Sequence, residues 1–467
     1  MREISPNNTE FIILSFEGPD LYSLAGGLGV RVTNLSEAFA DQGFNVHLFF
    51  VGDPKLPGEE YIHADRLILH RWCQWISEYH PAGVYQGEYE KHRDFSDSVT
   101  GYVVNRIVKP AVAQDKVVVI MGEEWQTAEA MCRINELLHI EGIREKAILL
   151  WNINNTFGFH HINWTRLANA ATITTVSRYM KQIMLVRGLR SFVIPNGIPG
   201  SLLEDVDESL VLRLRRGLDA DLVLSEVARW DPDKQWLTAV EAVAQLKATG
   251  LKTVLLARGG IEPHGWEVLQ KAFNLGLTIN EVGASDFNLD DYLSMIEENN
   301  GADIISIRSH CTQGFLRIVY RASNAVLSNS GHEPFGLVGL ETMAAGGIAF
   351  TGSTGEDYVI PFHNAIVLET SDPIEIEGYV MYLEERPYLK EKIRIAANIT
   401  ASMFTWEEVI KNLIQKLEYR ARTQGLITMP SRKPVLELDA PVLQRALREH
   451  MQWSREEASV AAHGVAV

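Results

Sequence analysis

The chain has 467 residues, more than one hydrophobic core usually supports, and 46% of them are apolar, so two folded domains are expected and a mainly disordered chain is excluded. Its 43 Lys and Arg face 60 Asp and Glu, and the net charge of −17 argues against nucleic acid or an anionic membrane as the main partner. The three cysteines, Cys73, Cys132 and Cys311, are too scattered for a disulfide framework or a metal-ligand cluster.

The N-terminus, MREISPNNTE, lacks the basic-then-apolar order of a secretory leader, and no apolar run approaches the ~20 residues of a membrane span. A soluble protein of the reducing cytoplasm is expected, and the sequon at Asn163 reads as accidental. Short apolar runs alternate with amphipathic stretches twice over, the pattern of two doubly wound parallel sheets. Strands are predicted at 11–14, 46–50, 117–121, 147–151, 172–175 and 192–194, with a helix over 34–42. The segment 80–95 breaks this rhythm with His80, Tyr85, Tyr89, His92 and Phe95, and reads as a solvated excursion or an acceptor-binding loop.

Pro195-Asn196-Gly197 is a turn signal, and the second domain starts near Ser201. Its strands are predicted at 222–228, 253–257, 303–307, 325–328 and 348–351. Asp372 followed by Pro373 marks a helix start, as does Thr405 with Glu408. Val409, Ile410, Leu413, Ile414 and Leu417 then share one helical face that must be buried. The expected division is 1–200, 201–404, a crossover helix over 405–425 returning to the first domain, and a tail over 426–467. No repeat with a period of 20–50 residues is found.

Three segments carry chemistry. In Gly331-His332-Glu333-Pro334-Phe335-Gly336-Leu337-Val338-Gly339-Leu340-Glu341, Gly336 lies near a predicted helix start, where free amides and the helix dipole favour phosphate. Glu333 and Glu341 would stand ~12 Å apart if the segment were helical, enough to reach opposite ends of a sugar nucleotide. Arg229-Trp230-Asp231-Pro232-Asp233-Lys234 supplies two cations after a strand, which is what a departing diphosphate demands. Gly26-Gly27-Leu28-Gly29 is a short loop after the first strand, without the spacing of a dinucleotide fingerprint. Asp219-x-Asp221 and Asp231-x-Asp233 match a metal-binding Asp-x-Asp only superficially, and no metal is expected.

These segments resemble glycosyltransferase family 4, the glycogen-synthase-like group 1 enzymes: Glu333 and Glu341 match its E-x7-E motif, and Arg229 and Lys234 its R-x4-K element. Val193-Ile194-Pro195-Asn196-Gly197-Ile198 looks like its hinge, and Glu124-Trp125-Gln126-Thr127-Ala128 like an element of glycogen synthases. The resemblance runs over about 11–423. It implies an α/β GT-B fold, two Rossmann-like domains facing a cleft with a C-terminal helix crossing back. It also implies a retaining hexosyl transfer, glucose first among candidates, from a nucleoside diphosphate to a sugar or small-molecule hydroxyl by front-face displacement.

The expected catalytic residues are His161, Arg229, Lys234 and Glu333. The expected donor contacts are Gly26, Gly27, Arg229, Lys234, Glu333, Phe335, Gly336, Leu337, Val338 and Glu341, with no cofactor besides the nucleotide-sugar co-substrate. One departure stands out: Asn154 occupies the usual place of a histidine, which leaves His160 or His161 to meet the sugar, and Glu123 likewise stands where a His is common. Two alternatives stay open. One is an epimerase or phosphorylase on the same fold; the other is a catalytically silent sugar-nucleotide sensor.

Overall fold

The computed structural model describes residues 3–283, 288–309, 311–352 and 354–427; all but the first two residues of the predicted tail lie outside them. The first sheet holds β1 (Thr9–Leu14), β2 (Asn45–Val51), β3 (Glu59–Ile62), β4 (Leu67–Trp72), β5 (Val117–Glu123), β6 (Ala147–Ile153), β7 (Thr172–Thr175) and β8 (Phe192–Val193). Their spatial order is β3-β4-β2-β1-β5-β6-β7-β8, and every pairing is parallel except β3 with β4. Parallel strands covered on both faces read as unbroken apolar runs, and β1 is buried at every position. Phe11 and Ile13 face the helix Gly27–Asp41, whereas Ile12 and Leu14 enter the opposite core layer with Phe95 and Met131.

The second sheet holds β9 (Leu222–Val227), β10 (Thr253–Arg258), β11 (Ile279–Val282), β12 (Ile304–Ile307), β13 (Ala325–Ser328), β14 (Ala349–Thr351) and β15 (Ile366–Val367), in the order β11-β12-β10-β9-β13-β14-β15. All its pairings are parallel. Each sheet therefore has one switch point, between β1 and β5 in the first and between β9 and β13 in the second. Crevices beyond the carboxyl ends of strands at such points are where open α/β sheets take ligands.

The two chain passages between the sheets run side by side. Ile198 N donates to Phe404 O at 2.9 Å, and Trp406 N returns a bond to Ile198 O at 3.0 Å. A Cβ on Gly197 would lie 2.7 Å from the Trp406 ring, so glycine is what lets the passages approach. Thr405 then accepts from Glu408 N and starts the helix Trp406–Thr423. Its Val409, Ile410, Leu413 and Leu417 are buried with Val32, Leu35 and Phe39 of the helix Gly27–Asp41, each worth about 1.5–3 kcal/mol relative to exposure.

Some expectations are corrected. The first helix begins at Gly27, inside the glycine-rich loop, and not at 34. The second half of the segment 80–95 is helical, because Glu88–Tyr102 turns Lys91, Phe95 and Val99 inward. The three cysteines are buried and free, and the sequon residue Asn163 serves as a helix cap accepting from Arg166 N at 3.1 Å.

Candidate functional site

At the second switch point, the loop after β9 meets the loop after β13. Trp230 is buried against Trp236, ring centroids 4.1 Å apart, and a Cβ on Gly259 would strike its ring at 1.9 Å. This anchor fixes the backbone on either side. Arg229 is left exposed, with no hydrogen bond from its guanidinium among the described residues, while its carbonyl accepts from Trp236 Nε1 at 2.8 Å. Lys234 folds inward: its Nζ lies 2.8 Å from Glu333 Oε2 and 3.0 Å from Ser330 Oγ. Asp233 ties the two loops by accepting from His332 N at 3.1 Å, and Asp219 pairs with Lys252 at 2.8 Å, so neither Asp-x-Asp element stands free.

Beneath Lys234 lies Glu226 on β9, fully buried, with neither carboxylate oxygen bonded. Burial pushes its acidity well above the ordinary value, opposed only by the charge of Lys234. Glu356, buried nearby, is pushed up to about 7 by desolvation and by the charge of Glu333. One lysine thus serves three carboxyl groups, a cation-poor arrangement that an arriving phosphate would make worse unless Arg229 joins it.

The helix starts beside Gly336, as expected, so Glu333 and Glu341 do not share it. Gly336 caps the helix Leu337–Ala344 with φ +80°, so Glu333 belongs to the preceding loop and only Glu341 is helical. Glycine is required at 336, since an L residue there would be strained and its Cβ would meet Glu356 at 2.8 Å. The Phe335 side chain is not free for a donor: it is buried against Tyr358 and Phe404. Val338 packs with Tyr320 and Val326.

Leu337 and Glu341 instead face the first domain across a cavity of about 260 Å3, lined on its far side by Val30, Arg31, Asn34 and Asn196. Glu341 is half-buried there; desolvation pushes its carboxyl up to about 7, and Tyr320 Oη donates to it at 3.4 Å.

The first switch point carries a network that motif reading missed. Arg31 pairs with Glu123 at 3.2 Å, both fully buried, and donates to Asn196 Oδ1 of the hinge at 2.5 Å. Glu123 also accepts from Asn152 Nδ2 at 2.8 Å and Asn154 Nδ2 at 3.0 Å. Asn154 is therefore spent on Glu123. The loop after β1 closes on Glu17, whose carboxylate accepts the amides of Gly26 at 2.9 Å and Gly29 at 3.0 Å. Gly26 itself is extended, φ −168°, and a Cβ on Gly26 or Gly27 would meet nothing within 4 Å.

Glu124 holds a left-handed φ of +65°, a conformation that L residues adopt at a cost and that clusters at functional sites. It accepts from Asn154 N at 2.6 Å and Asn155 N at 3.2 Å, while burial pushes its carboxyl up to about 8. In the unfolded chain this group titrates near its ordinary value, so the folded state keeps a proton that the unfolded chain releases. Its contribution is fully present below the unfolded value and is lost as pH rises through the folded one. The urea midpoint of the ligand-free protein should fall between about pH 5 and pH 8, with a shallower decline in Glu124→Gln. A midpoint that climbs steadily over that range would contradict this.

His160 and His161 lie outside this network. Both are exposed in the short turn Phe159–His161, where His161 stacks on Trp125 with centroids 4.5 Å apart and 27° between planes. Gly158 precedes them with φ +67°, and a Cβ there would strike Trp125 at 2.3 Å. The stack also touches His92, 5.2 Å from Trp125.

Residues 217–400 match the family described as Glycosyl transferases group 1. That matched region is a group 1 glycosyltransferase domain. The fold agrees: sucrose-phosphate synthase from Thermosynechococcus elongatus superposes with a TM-score of 0.64 at 19% identity, covering 89% of this chain and 100% of that one. HepE of Anabaena, solved with UDP, gives 0.60 at 15% identity over 88% of this chain and 100% of that one. The D-inositol 3-phosphate glycosyltransferase of Thermomonospora curvata is 24% identical over 116 residues, 24% of this chain and 27% of that protein's length. The chain thus has a GT-B fold with a group 1 glycosyltransferase match over 217–400. Within its group 1 domain lie Arg229, Lys234, Glu333 and Glu341, while Arg31, Glu123 and Glu17 belong to the half that the family match does not reach.

Proposed function

We propose that the chain moves a hexose, glucose first among candidates, from a nucleoside diphosphate to a sugar or small-molecule hydroxyl, with retention and without a metal. The observation that carries this reading is the group at the second switch point. Lys234 is fixed by Glu333 and Ser330, the Arg229 guanidinium has no hydrogen-bond partner among the described residues, and Glu341 lies across a cavity from the first domain. In this reading the β-phosphate meets Lys234 and Arg229, whose fixed charges strengthen their hold as negative charge builds on the leaving group. Glu333 holds sugar hydroxyls, Glu341 the ribose, and the departing phosphate takes the acceptor proton.

Solved neighbours of the fold include HepE with UDP-glucose, which supports UDP and glucose as the first donor to try. Residues 1–200 would offer the acceptor wall and 201–404 the donor site, with 405–425 linking them. No helix among the described residues is long and apolar enough to cross a membrane, and we place the reaction in the cytoplasm.

The silent-sensor alternative draws on Asn154, which is bound to Glu123 and supplies no titrating group. The test is a thermal-shift screen of nucleotide sugars followed by mass detection of products with pooled acceptors; binding without product favours the sensor. Activity should survive excess EDTA, because Lys234, Arg229 and helix amides do the work a metal would do. Complete loss restored by magnesium would rule that out. His161→Ala is expected to lower turnover well beyond His160→Ala, since the Trp125 stack fixes the orientation of His161. Full turnover in both variants would remove histidine from the reaction.

A further inference from the structure

The cavity of about 260 Å3 between the domains has walls of opposite hydrogen-bonding character. On the second-domain side stands the Glu341 carboxylate, held by the side chains of Tyr320 and Gln313. On the first-domain side stand Arg31 and Asn34 of the helix Gly27–Asp41, together with Asn196 of the hinge. Arg31 is 1% exposed; its Nη1 is taken by Asn196 Oδ1, while its Nη2 is buried without a partner. The side-chain amides of Asn34 and Asn196 donate no hydrogen bond among the described residues.

A buried guanidinium nitrogen left unpaired, on a residue that lines a cavity, calls for a partner that the chain itself does not supply. The two walls together match a vicinal diol. Each hydroxyl gives one hydrogen to the carboxylate and offers its lone pairs to the donors opposite. The volume lies below the ~300–1,000 Å3 of pockets that take a whole ligand, so the cavity takes one ring of a longer molecule. A phosphate is refused there by Glu341 and belongs with Lys234 and Arg229 instead.

We propose that this cavity grips the ribose of the donor from both sides: Asn34 and Arg31 of the first domain meet the hydroxyls that Glu341 holds from the second. The nucleotide then bridges the two domains, and the first domain selects a ribonucleotide over its deoxy counterparts. This rests on the reading of Glu341 as the ribose contact, which Glu341→Ala tests by itself. The experiment is calorimetric titration of UDP, 2′-deoxy-UDP and 3′-deoxy-UDP into wild type, Glu341→Ala, Asn34→Ala and Asn34→Leu, with a urea midpoint for each variant.

Wild type should bind UDP at least about ten-fold tighter than one or both deoxy nucleotides, because the missing hydroxyl leaves cavity groups unpaired. Asn34→Leu removes the amide and fills the space, so it should weaken UDP by at least about ten-fold and bring that ratio towards one. A merely structural loss would weaken all three nucleotides alike and leave the ratio intact. Asn34→Ala should lower the ratio in the same direction, and it decides the matter if the leucine variant does not fold. If Glu341→Ala weakens UDP while the Asn34 variants keep wild-type ratios, the second domain holds the ribose alone and the inference is overturned. Unchanged UDP affinity in Glu341→Ala overturns the ribose reading of Glu341, and the inference with it.

Discussion

Replacing Lys234 with Ala is expected to cost ~2–4 kcal/mol of transition-state stabilisation, read as a fall in kcat steeper than any rise in donor KM. Lys234 is the only cation within bonding distance of Glu333 among the described residues, and it also offsets the buried Glu226. Its removal therefore strips the leaving phosphate of a preorganised charge and leaves Glu333, Glu226 and Glu356 without that cation. Urea denaturation should accompany the kinetics, to separate the second effect from the first. Arg229→Lys should recover part of what Arg229→Ala destroys, because lysine keeps the charge and loses the planar pair of donors. Glu341→Ala should act mainly on donor affinity, since contacts to ribose change little during transfer. A Lys234→Ala enzyme with unchanged kcat and raised KM would reduce that residue to a binding group.

The largest stability effect is expected at Arg31 and Glu123. Both side chains are buried to within 1%, so removing one partner strands the other charge away from water, at a cost of about 3–5 kcal/mol. Glu123→Gln strands Arg31, whose Nη2 already lacks a partner. Arg31→Met strands Glu123 with only the amides of Asn152 and Asn154. The double variant should recover much of the loss, and the difference is the coupling that a double-mutant cycle in urea reports. Because Arg31 also holds Asn196 of the hinge and lies 5.9 Å from the Trp406 ring, the single variants should loosen the packing between the domains as well. Single losses below about 1 kcal/mol would show that the pair is not structural.

Much of the fold was legible because parallel strands covered on both faces write themselves as apolar runs, as 117–121 and 147–151 do. Two of the strands that escaped notice carry polar residues for reasons invisible in one dimension. Leu67–Trp72 contains Arg71, affordable there only because Asp20 is brought against it from fifty-one positions away. Glu59–Ile62 is a half-exposed edge strand with no buried run to announce it. The helix Glu88–Tyr102 was hidden by Lys91, a lysine on the inward face whose carbonyl and hydroxyl partners lie in another loop.

At the site, the spacing of Arg229, Lys234, Glu333 and Glu341 was readable, because local motifs place them on the loops after β9 and β13 and on one helix. Glu17, Arg31 and Glu226 were not. Each is a lone charge within or beside an apolar run, and only the tertiary fold shows whether such a charge is partnered. Glu226 carries the one signal that could have been taken: an acid inside a strand whose neighbours Leu222, Val223 and Leu224 are all buried.

The central claim is a retaining transfer that needs no metal. The most direct measurement is the NMR anomeric signal of the product formed from UDP-glucose and pooled neutral acceptors in excess EDTA, with released UDP quantified in the same tube. The account predicts an α-linked product and one UDP for each linkage formed. A β-linked product, or no transfer until a divalent cation is supplied, would contradict it.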